Sequence, residues 1–176
     1  MGITADQLTD MTAIAERILQ ENRELDRKVA VVESCTGGIV MAALTAVPGS
    51  SDVFDRGFVT YSDEAKVESL GVSSDIIETF GSVSIACAWA MAVAALEKSG
   101  ADVAVSVTGI AGPGGGTEKK PVGTVVFGRA RRGQNPDNIH TDRLFFEGDR
   151  NDIRRQAAIH ALELLSPTND DDQEPL

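Results

Sequence analysis

Residues 29–44 read VAVVESCTGGIVMAAL. Four apolar residues, Val29 to Val32, end at Glu33, and Ser34, Cys35, Thr36, Gly37 and Gly38 form a break before Ile39 to Leu44 resume with the density of a buried helix. An apolar run of strand length that turns through glycine into a helix is the opening of an α/β unit whose strand is covered on both faces. The break also gathers hydroxyl and thiol groups at the C-terminal end of a strand, where open α/β sheets bind their ligands.

Outward from this unit the chain keeps alternating. Leu8, Met11, Ile14, Ala15 and Ile18 recur at spacings of three or four and predict an amphipathic first helix. PGSSDVFDRG (48–57) reads as a loop and FVTYS (58–62) as a short strand; 64–81 reads as two short helices divided at Gly71. VSIACAWAMAVAALEKSG (83–100) is a long Ala-rich helix with Ser84 as N-cap and Gly100 as its stop. DVAVSVT (102–108) is a second strand with an apolar run, and GTVVFGRA (123–130) and IHTDRLFF (139–146) are strands joined by RRGQNPDN, which has hairpin length. A last helix begins after Gly148, with Asp149 as N-cap and Asp152 completing a near capping box. The expected architecture is an α/β sandwich on a mixed sheet, with residues 1–166 as one domain.

Composition limits the function. At 176 residues the chain is long enough for a real core, and its two cysteines, Cys35 and Cys87, are too few for a disulfide framework and lack zinc-ligand spacing. The net charge of −11 argues against nucleic acid as a partner. No 18 apolar residues run together and the N-terminus is polar, so the expectation is a soluble cytoplasmic protein without membrane contact. The acidic end PTNDDDQEPL (167–176) has one apolar residue and is expected to be disordered.

Two stretches carry candidate chemistry. Ser34 is placed to be a nucleophile, although Ser34 or Thr36 simply capping the helix explains the same residues. A serine nucleophile needs a base, and His140 opens a strand while His160 lies midway along the last helix, which disfavours a Ser-His-Asp triad. Lys66 is the remaining candidate base; a solvated helix residue beside Glu64 and Glu68 is its other reading. Tyr61, the only tyrosine, ends a strand nearby, and Cys35 is either a rival nucleophile or a small buried residue. The glycine-rich segment 108–123 matches neither a dinucleotide fingerprint nor a Walker A sequence, leaving a surface loop or a backbone that closes on an anion. Arg150 and Arg154 share one face at the start of a helix, where cations are unfavourable unless an anion or carboxylate offsets them.

The blocks AVVESCTGG, VPGSS, FDRGFVTYSDEAKVESLGV, GSVS, VTGIAGPGGGTEKKPVGTV and FFEGDRNDIRRQAAIHAL, in this order, resemble the CinA C-terminal domain, the nicotinamide-nucleotide amidase family, over residues from about 8 to 165. The resemblance implies a three-layer α/β/α sandwich around a five-stranded mixed, mostly parallel sheet, a homo-oligomer, and hydrolysis of nicotinamide mononucleotide to nicotinic acid mononucleotide and ammonia in pyridine-nucleotide salvage. It implies no metal and no cofactor. Carried onto this chain, it makes Ser34 the nucleophile, with Lys66 as base and Tyr61 assisting. Thr108 would lie in the same site. Cys35, Thr36, Gly37 and Gly38 would supply amides for the oxyanion, Gly109, Ala111, Gly112 and Gly114 would surround the ligand, and Arg150 would hold phosphate or position substrate. Ser34, Tyr61 and Thr108 all fall at strand ends that meet at one mouth if those strands are parallel. A nucleotide-binding or regulatory module that uses the loop and Arg150 without turnover at Ser34 is the alternative.

Overall fold

The computed structural model describes residues 5–169. Helix α1 (Ala5–Glu24) leads into β1 (Val29–Glu33) and α2 (Ile39–Thr45); β2 (Phe54–Val59) follows. Helix α3 (Asp63–Ala65) widens into a π-helical turn (Lys66–Leu70), then come α4 (Ser74–Phe80), α5 (Ile85–Glu97), β3 (Val103–Gly109), β4 (Thr124–Arg131), β5 (His140–Phe145) and α6 (Arg150–Glu163). The five strands form one sheet in the order β2-β1-β3-β4-β5. β1 pairs in parallel with both β2 and β3, while β3–β4 and β4–β5 are antiparallel, so only β4 runs against the rest. This is the expected mixed sheet between two helical layers.

Every residue of β1 is buried, because successive side chains enter different layers. Val29 and Val31 pack with Met11, Ile18, Val40, Leu44, Ile153 and Leu162 from α1, α2 and α6. Ala30 and Val32 pack with Met91, Ala94 and Ala95 of α5, and with Leu70 and Val72 beside α4. In α1 the expected apolar stripe is buried at Met11, Ala15 and Ile18; the side chain of Leu8 lies outside the described residues.

Local chemistry sets the ends of the helices. The Ser84 hydroxyl accepts the Cys87 amide at 3.1 Å and starts α5. Asp149 and Asp152 form the capping box of α6, and the amides of Asp152 and Asn151 hold the Asp149 carboxyl below the usual carboxylate range. α5 lies close on the sheet because Gly128 of β4 has no side chain: a Cβ there would stand 2.6 Å from the Ala88 carbonyl oxygen.

Two boundaries differ from the sequence reading. β2 covers Phe54–Val59 rather than 58–62, so Tyr61 and Ser62 lie beyond its end. Asp55-Arg56-Gly57 looks like a loop, but this is an edge strand with exposed polar positions, and Met41 fills the space over Gly57, where a Cβ would meet its Sδ. At the other terminus, 167–169 form a 3₁₀ turn, and the rest of the stretch expected to be disordered lies outside the described residues.

Candidate active site

Three parallel strands end side by side. Glu33 is paired with Val59 on one side and Val107 on the other. The Ser34 amide donates to the Val107 carbonyl at 2.9 Å, and the Thr60 amide to the Glu33 carbonyl at 2.9 Å. Ser34, Thr60 and Thr108 therefore stand at one level, with Ser34 only 7% exposed.

Lys66 reaches this level from the segment after β2. The Ser62 hydroxyl accepts the Ala65 amide and caps α3, and the widening of the helix at Lys66 carries its side chain inward. Lys66 is 1% exposed, and its amine donates to Ser34 Oγ at 3.2 Å, the Thr60 carbonyl at 3.1 Å and the Ser62 carbonyl at 3.3 Å. Asp63 Oδ1 lies 3.8 Å away. The solvated-helix reading of Lys66 is thus overturned. Two carbonyls hold two of its N–H groups, so its third direction points at the Ser34 oxygen.

The turn after Ser34 is held from both sides. Gly37 and Gly38 adopt left-handed φ of 63° and 97°, which only glycine takes without strain. The Gly37 amide donates to the Ser34 carbonyl at 3.0 Å. The Gly38 amide donates to the Glu33 carboxylate at 2.8 Å. From α6, Arg154 Nε donates to the Cys35 carbonyl at 3.2 Å and Nη2 to the Thr36 carbonyl at 2.8 Å. Of the four amides expected to face an oxyanion, those of Gly37 and Gly38 are therefore already bonded within the turn. Neither Ser34 nor Thr36 caps α2, whose N-cap is Gly38. Cys35 is buried, and burial pushes its thiol up to about 12, which removes it as a rival nucleophile.

Tyr61, Arg150 and the glycine loop meet at the rim. Arg150 donates from Nη2 to the Tyr61 hydroxyl at 2.6 Å and from Nη1 to the Gly112 carbonyl at 2.7 Å. A side chain at Gly37 would lie 3.4 Å from Arg154 Nη2 and 3.7 Å from Tyr61 Cε2, so both border the Ser34 turn. The loop is anchored: the Ile110 amide donates to Thr124, the Gly123 amide to Ile110, and Lys120 Nζ to the Phe80 carbonyl, each at 2.8 Å. Ala111 is buried in the core. Gly109 is pressed against Val125 and the Thr124 carbonyl, and Gly114 faces open space. Thr108 lies on the strand beside Ser34, but its hydroxyl proton is given to the Ser82 carbonyl at 2.9 Å. Both histidines turn to Asp142, with Nε2 at 2.7 Å for His140 and 3.5 Å for His160.

Glu33 and Thr60 are the participants that reading by residue type passed over, and Arg154, expected to face an anion or carboxylate, instead finds the Cys35 and Thr36 carbonyls. For Glu33 a signal existed, since an acidic residue closing an apolar strand must find donors. A cavity of about 730 Å³ lies elsewhere, between α4, α5 and β5, walled by Phe80, Ile85, Trp89 and Ile139; neither Ser34 nor Lys66 lines it. Among the described residues no cluster of His, Cys, Asp and Glu could hold a metal ion, and no helix is long and apolar enough to cross a membrane.

Known proteins resemble this chain over most of its length. A putative competence-damage inducible protein of Symbiobacterium thermophilum is 51% identical over 142 residues, 78% of this chain and 33% of that protein. Nicotinamide-nucleotide amidohydrolase PncC of Escherichia coli (strain K12) is 44% identical over 158 residues, 89% of this chain and 93% of that one. The chain thus spans about a third of the length of some relatives and nearly all of others. The crystal structure of competence/damage inducible protein CihA from Agrobacterium tumefaciens superposes with a TM-score of 0.84 at 44% identity, covering 89% of this chain and 93% of that one. Residues 11–168 match the CinA C-terminal domain, and the chain belongs to that family.

Proposed function

We propose that this chain is a nicotinamide-nucleotide amidase, cleaving the carboxamide of nicotinamide mononucleotide to a carboxylate and ammonia, in the salvage of pyridine nucleotides. The observation that carries the reading is the buried Lys66 amine at 3.2 Å from Ser34 Oγ. The name of the Escherichia coli relative supplies the substrate class.

In its neutral form Lys66 keeps two N–H bonds to the Thr60 and Ser62 carbonyls and turns its lone pair to the Ser34 hydroxyl. Ser34 Oγ attacks the carboxamide carbon as its proton passes to Lys66. The amides of Cys35 and Thr36, which neither Glu33 nor the Ser34 carbonyl takes, receive the oxyanion. Lys66 returns the proton to the departing nitrogen, ammonia leaves, and an acyl ester remains on Ser34. A water molecule then attacks the ester, giving its proton through Lys66 to Ser34 Oγ as the bond breaks. At the rim, Arg150 holds the nucleotide phosphate.

Ammonia release from nicotinamide mononucleotide tests the reading. Wild-type protein is expected to release ammonia and Ser34→Ala to release none; equal rates would refute Ser34 as nucleophile. Nucleotide binding without ammonia from the wild type would mark a binding module instead.

A further inference from the structure

Glu33 has no solvent exposure, and a carboxylate taken out of water is costly unless donors surround it. Its donors are the first amides of α2. Oε2 accepts from Gly38 at 2.8 Å and Val40 at 3.3 Å, and Oε1 accepts from Met41 at 2.9 Å. These are the N-cap, N2 and N3 amides, of which the last two are normally satisfied by the side chain of the N-cap residue. Gly38 has no side chain, so the cap comes from the residue immediately before Ser34.

We propose that Glu33 is a positioning residue for catalysis: it ties the end of β1 to the first turn of α2, so that Ser34 and the amides of Cys35 and Thr36 hold a single geometry, and it keeps the substrate phosphate away from them. This rests on the reading of Ser34 as the nucleophile. Arg154 works from the opposite side. In a trans peptide the C=O and N–H point in opposite directions, so Arg154 on the Cys35 carbonyl turns the Thr36 N–H away from α6. The bond from the Gly37 amide to the Ser34 carbonyl fixes the Cys35 N–H in the same way. With the α2 amides filled by an internal carboxylate, a nucleotide phosphate is left to the arginine at the rim.

Two variants and two assays test the proposal. Glu33→Gln keeps the shape but sets an NH₂ against amide donors; kcat for ammonia release is expected to fall by about 10²-fold, with KM little changed, because the nucleophile and oxyanion donors lose alignment. Glu33→Ala removes the carboxylate, and added formate, but not formamide, is expected to restore part of kcat. Labelling of Ser34 by a fluorophosphonate needs the turn but not the nucleotide, and is expected to slow in parallel. A Glu33→Gln protein that melts lower yet turns over and is labelled at the wild-type rate overturns the proposal, since a purely structural role moves only stability. Should Glu33→Gln fail to fold, the contrast of formate with formamide decides. A wild type that is labelled but releases no ammonia refutes the amidase reading alone, and labelling rates then judge Glu33; a wild type inert in both assays refutes both.

Discussion

Lys66 Nζ stands 3.2 Å from Ser34 Oγ across 32 residues of sequence, and both groups are buried. The contact depends on three features: parallel β1 and β2, the Ser62 cap, and the wide turn that begins at Lys66. Replacing Lys66 by Met keeps an unbranched apolar stem and removes the base. Ammonia release is expected to fall by about 10³-fold, within the range for losing a general base. Leaving the Thr60 and Ser62 carbonyls without their donor is expected to lower stability by about 1–3 kcal/mol, read by urea unfolding. A Lys66→Met protein with near-normal turnover would remove lysine from the mechanism.

Arg150 touches Tyr61 and the Gly112 carbonyl, but the structure gives it no bond to Ser34 or Lys66. Its place at the rim predicts an effect on binding rather than on the chemical step. Arg150→Ala is expected to raise KM for the nucleotide about tenfold or more, the loss of one charge-assisted contact, with kcat changed much less. Nicotinamide riboside, which lacks the phosphate, is expected to be processed equally by wild type and variant. A variant with unchanged KM for the nucleotide would put the phosphate elsewhere.

The legible part of this protein was the part with strong periodicity. Val29 to Val32 and Val103 to Val105 are apolar at successive positions because both faces are covered, so they announce central strands, and the 83–100 helix carries its own cap and stop. β2 was misplaced because an edge strand needs little apolar surface, and its glycine answers to Met41, a partner that sequence spacing does not reveal. The site divided in the same way. Ser34 stood out by its position after a strand, but local composition described Lys66 as a solvated residue between two glutamates; its burial comes from the turn of the helix toward β1. Glu33 escaped, and Arg154 was matched to an anion or carboxylate, because their partners are backbone groups, and residue types alone do not show which carbonyls and amides lack a bond.

The close approach of α5 to the sheet yields a stability prediction. A Cβ at Gly128 would come 2.6 Å from the Ala88 carbonyl oxygen and 2.8 Å from Ser106 Oγ, and Ser106 itself donates to Ala88 at 2.6 Å. Backbone cannot move aside as a side-chain tip can. Gly128→Ala is expected to destabilise by about 1–3 kcal/mol, as overpacking does in tight cores, measured by chemical denaturation. A neutral or stabilising effect would mean that α5 can shift outward without loss.

His160 links stability to pH in one direction. Burial lowers its pKa, while Asp142 at 3.5 Å pulls the other way, and the ring lies edge-on to Phe127 with centroids 4.5 Å apart. His140 also faces this Asp142, and Glu163 stands in the next turn of α6. In the unfolded chain a histidine takes up its proton near pH 6.5, and the folded protein resists protonation of His160 at that pH. The unfolded state therefore binds more protons through this window, so stability rises with pH there. The contribution is complete above the unfolded pKa and is lost as pH falls toward the depressed folded value. His160→Gln removes the titration and leaves a polar group near Asp142. Urea unfolding at about pH 7.5 and about pH 5.5, either side of the unfolded histidine pKa, is expected to show a smaller loss on acidification for His160→Gln than for wild type. Equal losses would show that the acid sensitivity of the fold lies in other groups.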